Sequence, residues 1–131
     1  PSIGFSLCDY SIDADFTQAK HFLEKIISEA LKNKMPNGVC LNVNIPKLKS
    51  DELKGIKVCR QARANWVEEF EERFDPYGRA YYWLTGKFVN FEPESNDTDE
   101  WALSNGYISV VPTQSDLTSH QNLEILKSNL K

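Results

Sequence analysis

A chain of 131 residues, 40% hydrophobic and 26% charged, has the size and composition of one soluble globular domain. A net charge of −4 gives no global grip on a phosphate backbone, so stable nucleic-acid binding is not expected, and only Lys47 with Lys49 offers a local basic pair. No apolar run approaches the ~20 residues of a membrane-spanning helix and no charged-then-apolar leader opens the chain, so a cytoplasmic protein with no membrane partner is expected.

Residues 2–7, Ser-Ile-Gly-Phe-Ser-Leu, read as a strand directly at the start of a chain that opens on Pro1 rather than Met, so a truncated or processed chain is an expectation. Asp13 or Asp15 is placed to cap a helix in which Phe16, Ala19, Leu23, Ile26, Ile27, Ala30 and Leu31 recur at three- and four-residue steps. Met35-Pro36-Asn37-Gly38 breaks that helix, and residues 39–45 form the next strand, closed by Pro46. Strand, helix, strand is the βαβ signature of an α/β fold on a largely parallel sheet.

From Gly55 the character changes. Residues 56–60 alternate as a strand, whereas Trp66, Phe70 and Phe74 are four apart, a helical step through a glutamate-rich segment. Asp75-Pro76-Tyr77-Gly78 has turn residues at turn offsets and Ala80 to Leu84 is rich in strand formers, which favours a long hairpin arm. Tyr81, Tyr82 and Trp83 then form an aromatic cluster beside an exposed turn, which needs either a core to bury it or a partner to cover it. Downstream, Asn96-Asp97-Thr98-Asp99 precedes a short helix stopped by Gly106, a strand at 107–111 runs into Pro112, and a terminal segment carries Leu123, Leu126 and Leu130 at helical spacing.

The chemistry-bearing residues are few. The pairs Asp13/Asp15 and Asp97/Asp99 offer oxygens to a hard cation, but their places at helix starts favour capping. His21 has no Cys or His at metal spacing, the chain contains neither a GxGxxG nor a GxxxxGK[ST] loop, and Ser2 and Ser6 around Gly4 do not form a nucleophile elbow. Cys8, Cys40 and Cys59, odd in number and set among apolar residues, read as buried thiols in a reducing compartment. Asp116 and His120, four apart, are expected to brace the hinge of the tail rather than to act as acid and base.

The order of the segments PSIGFSL, DADFTQAKHFLEKII, NGVCLNVNIP, ELKGIKVCRQAR, EEFEERFDPYGRAYYWLTG and DTDEWALSNGYISVVPTQSDLT resembles the C-terminal part of the survival protein E (SurE) family. The resemblance implies the C-terminal part of a single Rossmann-like α/β domain over 1–131, with a hairpin arm at 55–91 and a C-terminal tail helix at 115–131, both used to form a homo-oligomer. It implies a nucleoside 5′/3′-monophosphate phosphatase that needs Mg²⁺ or Mn²⁺. The family holds that metal with an adjacent Asp-Asp pair, a serine and an asparagine, all preceding the segment that matches PSIGFSL. This chain has no adjacent Asp-Asp pair, so no catalytic residue, no metal ligand and no bound cofactor is expected in it. The alternative reading is an oligomerisation module without catalysis of its own. In either case Tyr81, Tyr82 and Trp83 are the expected subunit contact and Asp116 with His120 the tail hinge.

Overall fold

The computed structural model describes residues 2–130; Pro1, Lys131 and the side chain of Gln18 lie outside the described residues. Strand β1 (Ser2–Leu7) is followed by a 3-10 turn (Thr17–Ala19), helix α1 (Lys20–Lys32) and strand β2 (Val39–Ile45). Then come β3 (Gly55–Val58), β4 (Ala64–Phe74), β5 (Ala80–Asn90), helix α2 (Asp99–Ser104), β6 (Tyr107–Gln114) and helix α3 (His120–Asn129).

Four strands form one sheet in the order β1-β2-β6-β3. β1 and β2 run parallel in a register that sets Ile3 beside Leu41 and Leu7 beside Ile45, which the α1 crossover requires. β2 meets β6 antiparallel, and β6 meets β3 parallel, so the sheet is mixed. β6 continues through Pro112 to Gln114, beyond the expected end at Val111. The pairing with β3 stops at Val110, so from there β6 has a neighbour on the β2 side only, an edge where a residue without an N–H is tolerated.

Side chains alternate across a strand, and here the odd positions of β1 and β2 and the even positions of β6 share the face under α1. Val43, Ile45, Ile108 and Val110 meet Ala19, Ile26 and Leu53 there, with Ile3, Phe5, Leu23 and Ile56 at the margin. On the other face Cys59, Ala102 and Val111 pack together under α2. Two helix positions expected in the core are outside it: Ile27 and Leu31 are exposed, because they lie on the flank of α1 towards β1, and among the described residues no further strand pairs beyond that edge. Phe16 is also exposed, one residue before the 3-10 turn.

The caps differ from expectation too. α1 begins at Ala19 with no side-chain cap; Asp15 Oδ1 instead accepts the N–H of Thr17 at 2.8 Å, while the backbone N–H of Asp13 donates to Ser11 Oγ. At α2 the cap is Thr98, whose Oγ1 accepts the N–H of Trp101 at 3.2 Å and donates to the carbonyl of Ser95 at 2.9 Å. A buried hydroxyl serves both roles where Asp97, turned outward, meets a cation instead. Gly106 ends the helix with φ +83°, as its position predicts. Of the three cysteines only Cys59 is buried; Cys40 is half-buried and Cys8 is exposed, since β1 has ended at Leu7 and only the backbone N–H of Cys8 is held, by the carbonyl of Ile45.

Candidate functional site

β4 and β5 form a sheet of their own, an antiparallel hairpin of eleven residues a side in continuous register from Ala64↔Asn90 to Phe74↔Ala80. β3 belongs to the larger sheet, so the arm consists of β4 and β5 alone. Its tip is closed by Asp75: the N–H groups of Tyr77 and Arg79 donate to Asp75 Oδ1 at 2.8 and 2.9 Å, Arg79 Nε donates to Oδ2, and Gly78 takes φ +77°. Those bonds, first that from the Arg79 backbone, hold the Asp75 carboxyl below its ordinary range.

Cross-strand partners of an antiparallel pair share a face, and this separates the aromatic cluster. Tyr82 lies opposite Glu72 on the face that also carries Trp66, Phe70, Phe74, Leu84 and Phe88. Tyr81 and Trp83 point the other way, with Glu69, Glu71, Arg73 and Lys87. The contacts agree: the Tyr82 hydroxyl donates to Glu72 Oε1 at 2.8 Å, Trp66 stacks edge-to-face on Phe88 at 5.9 Å, and the Arg73 guanidinium sits 5.4 Å from the Trp83 ring while paired with Glu71. No core covers the three: Tyr81 is 41% exposed, Tyr82 62% and Trp83 54%.

The base of the arm is held by a residue that no motif or spacing singles out. Arg60, just past β3, donates from Nε and Nη2 to both oxygens of Asp97, at 2.8 and 3.0 Å, and from Nη1 and Nη2 to both oxygens of Glu92, at 2.6 and 3.0 Å. Glu92 Oε1 also accepts the N–H of Arg63, and Asp99 Oδ1 accepts the N–H of Ala62. The two chain ends of the arm are thereby tied to each other and to the start of α2. The Arg60 guanidinium, and after it the Arg63 N–H, holds the Glu92 carboxyl down at about 2, and Arg60 likewise lowers Asp97. The signal in the sequence was only an arginine in the basic run 57–63, whose acidic partners Glu92 and Asp97 are 32 and 37 residues away.

The expected tail contact is present. His120 Nε2 and Asp116 Oδ2 are 2.7 Å apart, and the N–H of Thr118 bonds Asp116 Oδ1 at 2.9 Å. The Thr118 side chain first, then His120 and the Thr118 N–H, lower the Asp116 carboxyl to about 2. A lowered carboxyl stabilises the folded arrangement above its ordinary value near 3.8 and ceases to do so as pH falls towards 2. α3 beyond it buries no residue, with Ile125, Leu126 and Leu130 exposed. We expect His120→Ala to speed limited proteolysis near Ser115 at neutral pH; equal cleavage in variant and parent would exclude the brace.

An open crevice of about 390 Å³ lies past the carboxyl ends of the parallel strands β1 and β2, where α/β folds place ligands. Leu7, Asp9, Asp15, Pro46, Lys47 and Lys49 line it, and Lys47 Nζ donates to Asp9 Oδ1 at 3.0 Å. Among the described residues no three His, Cys, Asp or Glu side chains stand together as a metal site. Asp97 and Asp99 are engaged by Arg60 and by the Ala62 N–H, and Asp15 by Thr17. His21 is exposed on α1 beside Phe22. No helix among the described residues is long and apolar enough to cross a membrane.

Comparison with known proteins gives this arrangement its context. The family model described as "Survival protein SurE" matches residues 1–68. The chain is 61% identical over 98% of its length to "5'-nucleotidase SurE" of Christiangramia forsetii and 59% identical over 97% to the protein of the same name from Flavobacterium johnsoniae, covering 49% of each. In structure it is similar to the SurE protein of Aquifex aeolicus, whose crystal structure superposes with a TM-score of 0.78 at 35% identity over all of this chain and 52% of that one. The chain thus spans about half the length of the curated relatives it matches. A family model over more than half of the sequence, agreeing with the α/β sheet and the separate hairpin described above, shows that this chain belongs to the SurE family.

Proposed function

We propose that this chain is the C-terminal half of a nucleoside 5′/3′-monophosphate phosphatase, contributing the sheet that carries the crevice beyond β1 and β2, together with an arm and a tail for homo-oligomer formation. The observation that carries this reading is 61% identity, over nearly the whole chain, to a protein named 5'-nucleotidase SurE. Three unpaired cysteines suit a reducing, cytoplasmic setting.

The family reading includes a divalent metal, Mg²⁺ or Mn²⁺. The residues present do not fit one: Arg60 holds Asp97, the Ala62 N–H holds Asp99 and the Thr17 N–H holds Asp15, and although Asp13 lines the crevice with Asp9 and Asp15, no three candidate ligands converge among the described residues. The chain by itself therefore supplies no hydrolysis in this reading.

The test is complementation. The 131-residue chain alone should release no phosphate from AMP with excess Mn²⁺. Joined to the other half of the Christiangramia forsetii protein, it should give metal-dependent turnover. Activity of the chain alone, abolished by Asp97→Asn with Asp99→Asn, would move the active site into this half, and an inert joined protein that is folded would count against the nucleotidase reading.

A further inference from the structure

Asp9 leaves the main sheet at the wall of the crevice with half of its carboxylate unused. The Cys8 N–H donates to the carbonyl of Ile45 at 2.8 Å, which fixes the chain one residue past β1, where Asp9 begins the loop. Asp9 Oδ1 accepts twice, from the Ser11 N–H and from Lys47 Nζ, both at 3.0 Å. Oδ2 meets no donor among the described residues, in a side chain only 13% exposed. A carboxylate oxygen so far withdrawn from water is costly until something donates to it. The Ser11 N–H first, and then Lys47, hold this carboxyl below its ordinary range, so at neutral pH it is ionised and can only accept.

The surroundings restrict which donor fits. A second cation would face the Lys47 ammonium already on the same carboxylate, and a phosphate would meet the like charges of Asp9, Asp13 and Asp15. A neutral hydroxyl answers both objections. Beside this polar wall Leu7, Ile45, Pro46 and Leu48 give the crevice an apolar lining, and an apolar surface with few, placed acceptors suits a sugar that carries a flat base. We propose that the crevice takes the nucleoside part of the substrate, with Asp9 Oδ2 accepting a hydroxyl of its ribose and Lys47 fixing the carboxylate for that bond. The proposal rests on the nucleotidase reading and adds which part of the substrate this half binds: sugar and base, not phosphate. An acidic side chain reads a ribose hydroxyl in dinucleotide-binding folds for the same reason, since an ionised carboxylate accepts where the sugar donates. Asp9 is thus the specificity-determining residue and Lys47 a positioning residue.

The test is hydrolysis by the chain joined to the other half of the Christiangramia forsetii protein, with excess Mn²⁺. The substrates are AMP, its 2′-deoxy and 3′-deoxy analogues, and p-nitrophenyl phosphate, which has no sugar. In the parent, kcat/KM should fall about tenfold or more for at least one deoxy analogue, the scale of one hydrogen bond to a charged group. Asp9→Asn keeps an oxygen for Ser11 and Lys47 and sets an amide donor where Oδ2 stood. It should lower kcat/KM for AMP to the level of that analogue, while the analogue and p-nitrophenyl phosphate keep their parent values. Asp9→Ala provides the same reading should the amide variant fold poorly by circular dichroism. Lys47→Met should raise KM for AMP, Lys47→Arg should restore it, and neither should move p-nitrophenyl phosphate. Equal losses on all four substrates in the Asp9 variants would reduce Asp9 to a structural residue and overturn the assignment. A parent that treats AMP and both analogues alike would overturn it too, with the nucleotidase reading intact. A joined protein that is folded yet inert on every substrate fails that reading, and the inference with it.

Discussion

Ile108→Ala should lower the unfolding free energy by about 2–5 kcal/mol, enough to leave a marginal domain largely unfolded. Ile108 is fully buried on β6, a strand paired on both sides, with Ile56 as its neighbour on β3 and Val43, Ile45 and Val110 in the same cluster. Removing three carbons there takes away the transfer free energy and leaves a cavity that a sheet held in register on two sides cannot collapse to fill. Urea denaturation at one protein concentration would measure it, as a lower midpoint with an unchanged slope. The control is Ile12→Ala: Ile12 is fully exposed in the loop after β1 and its loss should fall within ~0.5 kcal/mol of zero. Similar losses at the two positions would mean that the core is not built around β6.

The contrast between these two isoleucines shows what a sequence can and cannot reveal. The βαβ unit was legible because both periods were clean: alternation in 39–45 and three- and four-residue steps in 19–30. At Ile27 and Leu31 the helix pattern failed, because periodicity marks a face without saying whether anything covers it, and among the described residues no strand past β1 does. The segment at 66–74 was ambiguous for a geometric reason: a spacing of four is one helical turn and is also an even number, so Trp66, Phe70 and Phe74 share a face in either conformation. By the same parity, three consecutive aromatics cannot share one face of a strand, and the apparent Tyr81-Tyr82-Trp83 cluster divides between the two. The Asp116–His120 pair was legible because it is local. Arg60 was not, since its partners are 32 and 37 residues away and only the folded hairpin brings them together.

That long-range pairing leads to the second large effect. In Arg60→Gln the arm should loosen at its base while the main sheet remains folded. A neutral amide cannot replace a guanidinium that binds two carboxylates at once, each through both oxygens, and leaves Asp97 and Glu92 facing each other uncompensated. Glu92 also anchors the Arg63 N–H, so its displacement frees the backbone at the start of β4. Amide hydrogen exchange should therefore accelerate at Arg63 and Phe91, which bridge the two chain ends of the arm, and stay at the parent rate at Val43 and Val110. Arg60→Lys should resemble Arg60→Gln more than the parent, because a single ammonium cannot span both acids. Acid should act on the parent in the same direction. Glu92 is held at about 2 in the folded protein against an ordinary 4.5, so its contribution is complete above pH 4.5 and fades as pH falls towards 2. An exchange profile at Arg63 that is the same in parent and Arg60→Gln at neutral pH would show that the arm is positioned by its backbone pairing alone.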